Sequence, residues 1–228
     1  MSENIFDQWL SAEGEEPEAS LTASFKDLPV GAWVVLQAAA ADDTQKCALD
    51  PVFKKDQAGQ QVLGPDGEPE VNFYRMKLVL QPVGGTPDVD PKKGPYGKVY
   101  HRFGIDTKDK PGQPGGVLRG FINTFFGANL PHDSQERTAA GIAALKRAAE
   151  KNGVAPNAYP NKAVANAALL ALALGDERPM VIGRTYLSKS REDVDKQGAP
   201  QKTEPRVQVT DWMDFSSDTL AEKGIVVW

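Results

Sequence analysis

The sequence predicts a mainly β domain, five strands in a Greek-key barrel with a helical insertion between the third strand and the fourth. Three observations carry that expectation. Two runs rich in aromatic and β-branched residues, 71–81 and 97–105, alternate with period two. The stretch 117–175 then shows helical periodicity, and two more strand-like runs follow at 180–187 and 206–212. Three strands, helices, then two strands is the order of the five-stranded barrel called the OB-fold. Its body is expected to span 25–215, with the insertion at about 117–175, an acidic flexible arm at 1–24 and a tail at 216–228.

The arm is placed first because Glu13-Gly14-Glu15-Glu16-Pro17-Glu18 has little to bury. Ile5, Phe6, Trp9 and Leu10 within it form a small helix-compatible apolar cluster that can dock on the body or a neighbour. Leu28-Pro29-Val30-Gly31 reads as a turn into a first strand, Ala32 to Ala39. A long polar excursion, 40–70, contains a turn signal at Gly64-Pro65-Asp66-Gly67.

The second strand puts Tyr74, Met76, Leu78 and Leu80 on a core side and Phe73, Arg75, Lys77 and Val79 on the other. In the third, Val99, His101, Phe103 and Ile105 share one face, and Lys98, Tyr100 and Arg102 the other. Loops are expected at 82–95 and 108–116.

Within the insertion, Val117 to Phe126 is amphipathic and ends at Gly127. Asp133 with Glu136 suggests a capping box for a helix running to Lys151 and stopped by Asn152-Gly153. A third helix starts at about Asn161 and closes at Gly175. The polar stretch 188–205 is read as a loop. The last four residues, Ile225 to Trp228, are too apolar to leave in water. They are expected to bury against the body, or to add an edge strand to another copy and so make a homo-oligomer.

Composition narrows the function. The chain has 228 residues, 40 % hydrophobic and 25 % charged, which suits a globular domain. Gly (21) and Pro (17) are frequent enough to put much of it in loops. One cysteine excludes an internal disulfide and fits a reducing, cytoplasmic setting. No run is long and apolar enough for a membrane span, and no membrane partner is expected.

The net charge of −5 is uneven. Residues 1–31 carry seven acids against Lys26, and 211–228 carry four against Lys223. The span between them holds 24 basic and 20 acidic side chains, a weakly basic body between acidic ends. Local potential, more than total charge, decides whether such a body attracts a polyanion.

Enzyme chemistry finds no constellation. There is no Gly-x-x-x-x-Gly-Lys-Ser/Thr phosphate loop. His101 and His132 stand in different elements, Cys47 has no base beside it, and the acid clusters Asp88/Asp90 and Glu192/Asp193/Asp195 fall in polar loops. No cofactor or metal is expected. What remains is the mixture on the second and third strands, two aromatics among four cations. Cations hold phosphates while rings stack on bases, so the mixture suits a single-stranded nucleic acid. The plainer alternative makes Phe73 and Tyr100 core residues of a sheet covered on both faces, their cationic neighbours snorkelling outward.

Several local features together resemble a known group. They are Leu28-Pro29-x-Gly31, the Lys77-Leu78-Val79-Leu80 strand, the Gly97-Lys98-Val99 opening, Phe125-Phe126-Gly127 at a helix end and Val181-Ile182-Gly183-Arg184. With the order of elements from about Phe25 to Phe215, they resemble the phage-type single-stranded-DNA-binding proteins. The resemblance implies an OB-fold, a non-enzymatic role in replication or recombination, and replication or recombination proteins as partners, with the acidic arm as a candidate contact.

On the residues themselves, the expected stackers are Trp33, Phe73, Tyr100, Tyr186 and Trp212. The expected phosphate contacts are Arg75, Lys77, Lys98, Arg102, Arg184, Lys189, Arg191, Lys202 and Arg206. Removing the arm should raise DNA affinity by relieving competition for these cations. A phage structural or assembly protein with arms at both ends is the competing reading.

Overall fold

A computed structural model of the chain describes residues 27–93, 96–106, 116–131, 134–188, 191–194, 200–203 and 206–228. The acidic arm, the 108–115 connection, His132, Asp133 and Lys189 lie outside the described residues, as do the side chains of Arg191 and Lys202.

The frame is one antiparallel sheet. Its strands are β1 (Trp33–Ala38), β2 (Ala48–Phe53), β3 (Val71–Gly85), β4 (Val99–Asp106), β5 (Met180–Leu187), β8 (Val207–Asp214) and β9 (Val226–Val227). A separate hairpin of β6 (Arg191–Val194) and β7 (Pro200–Thr203) stands between β5 and β8 in sequence. Among the described residues four helices accompany the sheet: α1 (Gly116–Phe126), α2 (Gln135–Asn152), α3 (Lys162–Glu177) and α4 (Ser217–Lys223).

β3 is the organising strand. One edge pairs first with β2 and then with β1, and the other pairs with β4 and then β9. β1 also pairs with β5, and β5 with β8. The five main strands thus run β4-β3-β1-β5-β8 across the sheet. β4 and β8 come back toward each other, with the His101 and Trp212 rings 5.5 Å apart. No ladder joins them among the described residues, so the sheet is open and seven-stranded where a closed five-stranded barrel was expected.

The sequence expectations fail where propensity and tertiary context disagree. β2 falls in the stretch 40–70 expected as a polar excursion, yet it pairs with β3 alone, and an edge strand tolerates a proline such as Pro51. β3 does not stop at 81 but runs through Pro82 to Gly85. The Gly84-Gly85 pair reads as a turn in sequence. It is instead where β9 lies close: a Cβ on Gly84 would stand 2.6 Å from the Val226 carbonyl oxygen. Residues 191–194 and 200–203, expected as loop, form the β6/β7 hairpin.

At α2 the cap is Ser134, whose hydroxyl accepts from the Arg137 N–H at 3.1 Å; the expected cap, Asp133, lies outside the described residues. Asn161 caps α3 as expected, accepting from Val164 at 2.8 Å. Gly175 does not close α3, which continues to Glu177 and ends on left-handed Arg178 (φ 47°). Gly175 is buried within the helix, and its bare Cα lets Ala41 approach: a Cβ there would meet Ala41 at 3.1 Å.

The sheet has apolar packing on both faces. On the inner face Val34, Leu36, Met76, Leu78, Leu80 and Val181 meet Phe121 and Phe125 of α1, Leu145 of α2 and Leu170 and Leu174 of α3. A buried pair pins the helices to the sheet: Arg137 of α2 holds both carboxylate oxygens of Asp214 and donates to the Leu130 carbonyl at 3.2 Å. On the outer face a smaller core of Val35, Ile182 and Ile225 is closed by α4 and β9. The tail thus packs on its own body. Ser216 caps α4, β9 joins β3, and the Trp228 ring stacks on Tyr96 at 6.0 Å. Val226, Val227 and Trp228 nevertheless stay exposed.

Candidate nucleic-acid interface

Residues directly opposite in an antiparallel ladder share a face, so register assembles this site. Across β3 and β4 the outer-face pairs are Lys77 with Arg102, Arg75 with Gly104 and Val79 with Tyr100. β2 adds Asp50 opposite Arg75 and Val52 opposite Phe73. The face therefore brings together Phe73, Arg75, Lys77, Tyr100 and Arg102, five of the residues expected from sequence.

Each is held differently. The Phe73 ring lies against Gly104, with a Cβ there only 3.5 Å from the ring edge, and the Arg75 guanidinium sits 5.9 Å over the same ring. Tyr100 is 44 % exposed, and its hydroxyl hydrogen-bonds Gln45 in the β1–β2 loop. Asp43 of that loop pairs with Lys98. The Lys98 hydrogen bond, helped by the Gln45 N–H, holds the Asp43 carboxyl below its usual range. Lys98 is thus engaged within the protein, whereas Lys77 and Arg102 form no ion pair among the described residues. Two like charges directly opposed on a sheet repel, and an anion placed between them removes the repulsion.

The remaining expected residues go elsewhere. Trp33 is on the outer face of β1 but belongs to the smaller core, with Arg184 5.9 Å and Lys223 5.0 Å from its ring. Trp212 points the other way, into the helix-covered core, edge-on to His101 and to Phe121 at 5.6 Å. Both rings have their contacts supplied by the fold. Tyr186 is exposed on β5, with its hydroxyl 2.6 Å from Gln208 of β8. Arg206 is exposed at the start of β8.

Where β4 and β8 fail to join, a cleft of about 490 Å³ opens. Lys98, Arg102 and Arg206 line it together with Asp27, Tyr100 and His101. His101 is half-buried among Phe103, Phe121 and Trp212, and burial lowers its pKa, so the ring is held neutral. Two hairpins flank the β3/β4 face in sequence: 54–70, closed by the Lys54–Glu70 pair and a left-handed Gly67, and β6/β7. Among the described residues no cluster of acids, histidines and cysteines could hold a metal, and no helix is long and apolar enough to cross a membrane.

No protein-family model, curated protein or solved structure matches the chain. The reading of function rests on the geometry just described.

Sequence reasoning missed Asp43 and Gln45, which orient Lys98 and Tyr100 from a loop 55 residues away in sequence. It also missed the cleft. No local pattern signals either, because both depend on which strand edges meet.

Proposed function

We propose that the chain binds single-stranded DNA without sequence preference, through the outer face of β3 and β4, and acts in phage DNA replication or recombination in the bacterial cytoplasm. The observation that carries the binding reading is the register that sets Lys77 against Arg102 beside the half-buried ring of Phe73 and the exposed ring of Tyr100. Phosphates would sit between the cations and bases would lie on the rings, each stacked base adding roughly 1–3 kcal/mol. The strand order β4-β3-β1-β5-β8 supports an OB-type barrel with an open seam. In that fold the second and third strands form the binding face, and the loops after the first and fourth strands flank it. Here those loops are the 39–70 region and the β6/β7 hairpin. The setting in phage replication rests on the resemblance in sequence features alone.

Anisotropy titrations with labelled oligo-dT, oligo-rU and duplex DNA at two salt concentrations test the reading. Oligo-dT is expected to bind more tightly than duplex, and its affinity to fall as salt rises, because bound phosphates release counterions. Equal affinity for duplex, or no binding at low salt, rejects it. One observation favours a structural or assembly role instead. Val226, Val227 and Trp228 form an exposed apolar strip on a strand that pairs only with β3 among the described residues. Self-association by light scattering, without oligo-dT binding, would support that second reading.

A further inference from the structure

The open seam between β4 and β8 is the least expected feature of the sheet. Two strands that approach closely enough for ring contact across their edges would ordinarily complete a ladder. Here the edge of β4 from Val99 to Arg102 and the edge of β8 from Val207 to Val209 face a cleft instead of each other. Among the described residues neither edge is joined to a further strand there, and the backbone N–H and C=O groups of a strand edge need partners. Cations stand on both sides of the cleft, Arg102 on β4 and Arg206 just before β8, with the acid Asp27 also in the lining. His101 supplies a flat, neutral ring to the cleft lining, backed by Phe121 and Trp212.

We propose that this seam is a nucleotide subsite: one base of the bound strand leaves the stack on β3/β4 and enters the cleft, where the two strand edges hydrogen-bond its polar rim and Arg102 and Arg206 hold the flanking phosphates. The proposal rests on the nucleic-acid reading above and sharpens it. Arg102 belongs to both surfaces, facing Lys77 on the sheet and lining the cleft, so a strand crossing the β3/β4 face reaches the seam without a break in its cation track. The chemistry also selects a nucleobase over a simple anion. A phosphate would need only the rim, whereas a planar group with donors and acceptors on its edge matches two strand edges and a ring together.

An abasic scan tests it. A single abasic position is moved along a short dT oligonucleotide, and affinity is read by anisotropy with the full chain. The expected result is one position, or two adjacent ones, where base removal weakens binding roughly tenfold or more, against a shallow loss elsewhere. In Arg206→Glu, a change at an exposed residue, that peak should flatten while the rest of the profile shifts evenly. Lys77→Ala should lower the whole profile and keep the peak. A uniform scan with normal dT binding overturns the subsite and leaves the β3/β4 face standing. Loss of all dT binding by the unmodified protein overturns both.

Discussion

The outer face of the sheet is built twice, in two halves that obey the same alternation and end differently. At one half, β1, β5 and the C-terminal part of β3 put Val35, Ile182 and Val83 outward, and α4 with β9 cover them. At the other, β4 and the N-terminal part of β3 put Phe73, Arg75, Lys77, Tyr100 and Arg102 outward, and no described helix covers them. Each half has an aromatic ring with cations beside it. Trp33 meets Arg184 and Lys223 in the covered half, and Phe73 meets Arg75 in the open one. Alternation therefore says which side chains leave the core but not whether another segment meets them. Only the second circumstance separates a structural cation–π contact from a surface able to receive a ligand.

Deleting 217–228 breaks the comparison most sharply, because it turns the covered half into an open one. Ile225 and Leu220 would be lost from Val35 and Ile182. At about 1.5–3 kcal/mol for each large apolar side chain, stability should fall by roughly 3–6 kcal/mol, seen as a lower urea midpoint. Oligo-dT affinity should stay within about twofold when measured where the variant is folded. An unchanged midpoint would mean that the tail contributes nothing.

Gly84→Val asks the same question through one atom pair. The new Cβ meets the Val226 carbonyl at 2.6 Å and Val35 Cγ2 at 3.1 Å, so β9 must lift or β3 must shift. A cost of about 1–3 kcal/mol is expected, with Trp228 fluorescence moving toward that of a solvated indole.

Acid should act through the inner face. Burial holds the folded-state pKa of His101 below its ordinary value near 6.5, so the unfolded chain binds the proton more readily. The stability from keeping this ring neutral is therefore complete above about pH 6.5 and declines as pH falls from there toward the folded-state pKa. His101→Gln should flatten that part of the melting-temperature profile. A profile unchanged in the variant would assign the acid response to other groups.

The smallest effect on stability, and the clearest on binding, belongs to Lys77→Ala and Arg102→Ala. Each removes one of two opposed like charges, so stability should change by no more than about 0.5 kcal/mol or rise slightly. Oligo-dT affinity should fall several-fold in each, with the slope of log affinity against log salt reduced by about 0.7 for a single-strand phosphate contact. The same substitution at Arg184, which faces Trp33, should leave that slope unchanged.

Much of this was legible in the sequence wherever one element carried its own signal. The period-two runs at 71–81 and 97–105 assigned most faces of β3 and β4, though Val79, read with Phe73, Arg75 and Lys77, is fully buried, and Asn161 and Gly153 marked helix ends by their own chemistry. The losses came where a residue's meaning depends on a distant neighbour. Asp50-Pro51 is a strand only because β3 offers it an edge. Gly84 and Gly175 look like punctuation but are sites of close approach by Val226 and Ala41. Trp33 and Trp212 were grouped with Phe73 as stackers because a sequence does not say what lies over a ring; α4 lies over the first and α1 over the second.

Cys47 gives this molecule a built-in reporter. It sits where the edge strand breaks between β1 and β2, accepting a hydrogen bond from the Val79 N–H at 3.3 Å and donating to the Val79 carbonyl at 3.6 Å. It is 6 % exposed and is the only cysteine in the chain. Burial also pushes its thiol pKa up, which suppresses the reactive thiolate while the site is closed. A thiol reagent therefore reports local openings around Cys47, which ends the loop whose Asp43 and Gln45 hold Lys98 and Tyr100 and also lines a cleft against α3. The labelling rate of the unaltered protein counts those openings directly, with no engineered probe. Slower labelling on adding an oligonucleotide would time how firmly a ligand clamps that loop.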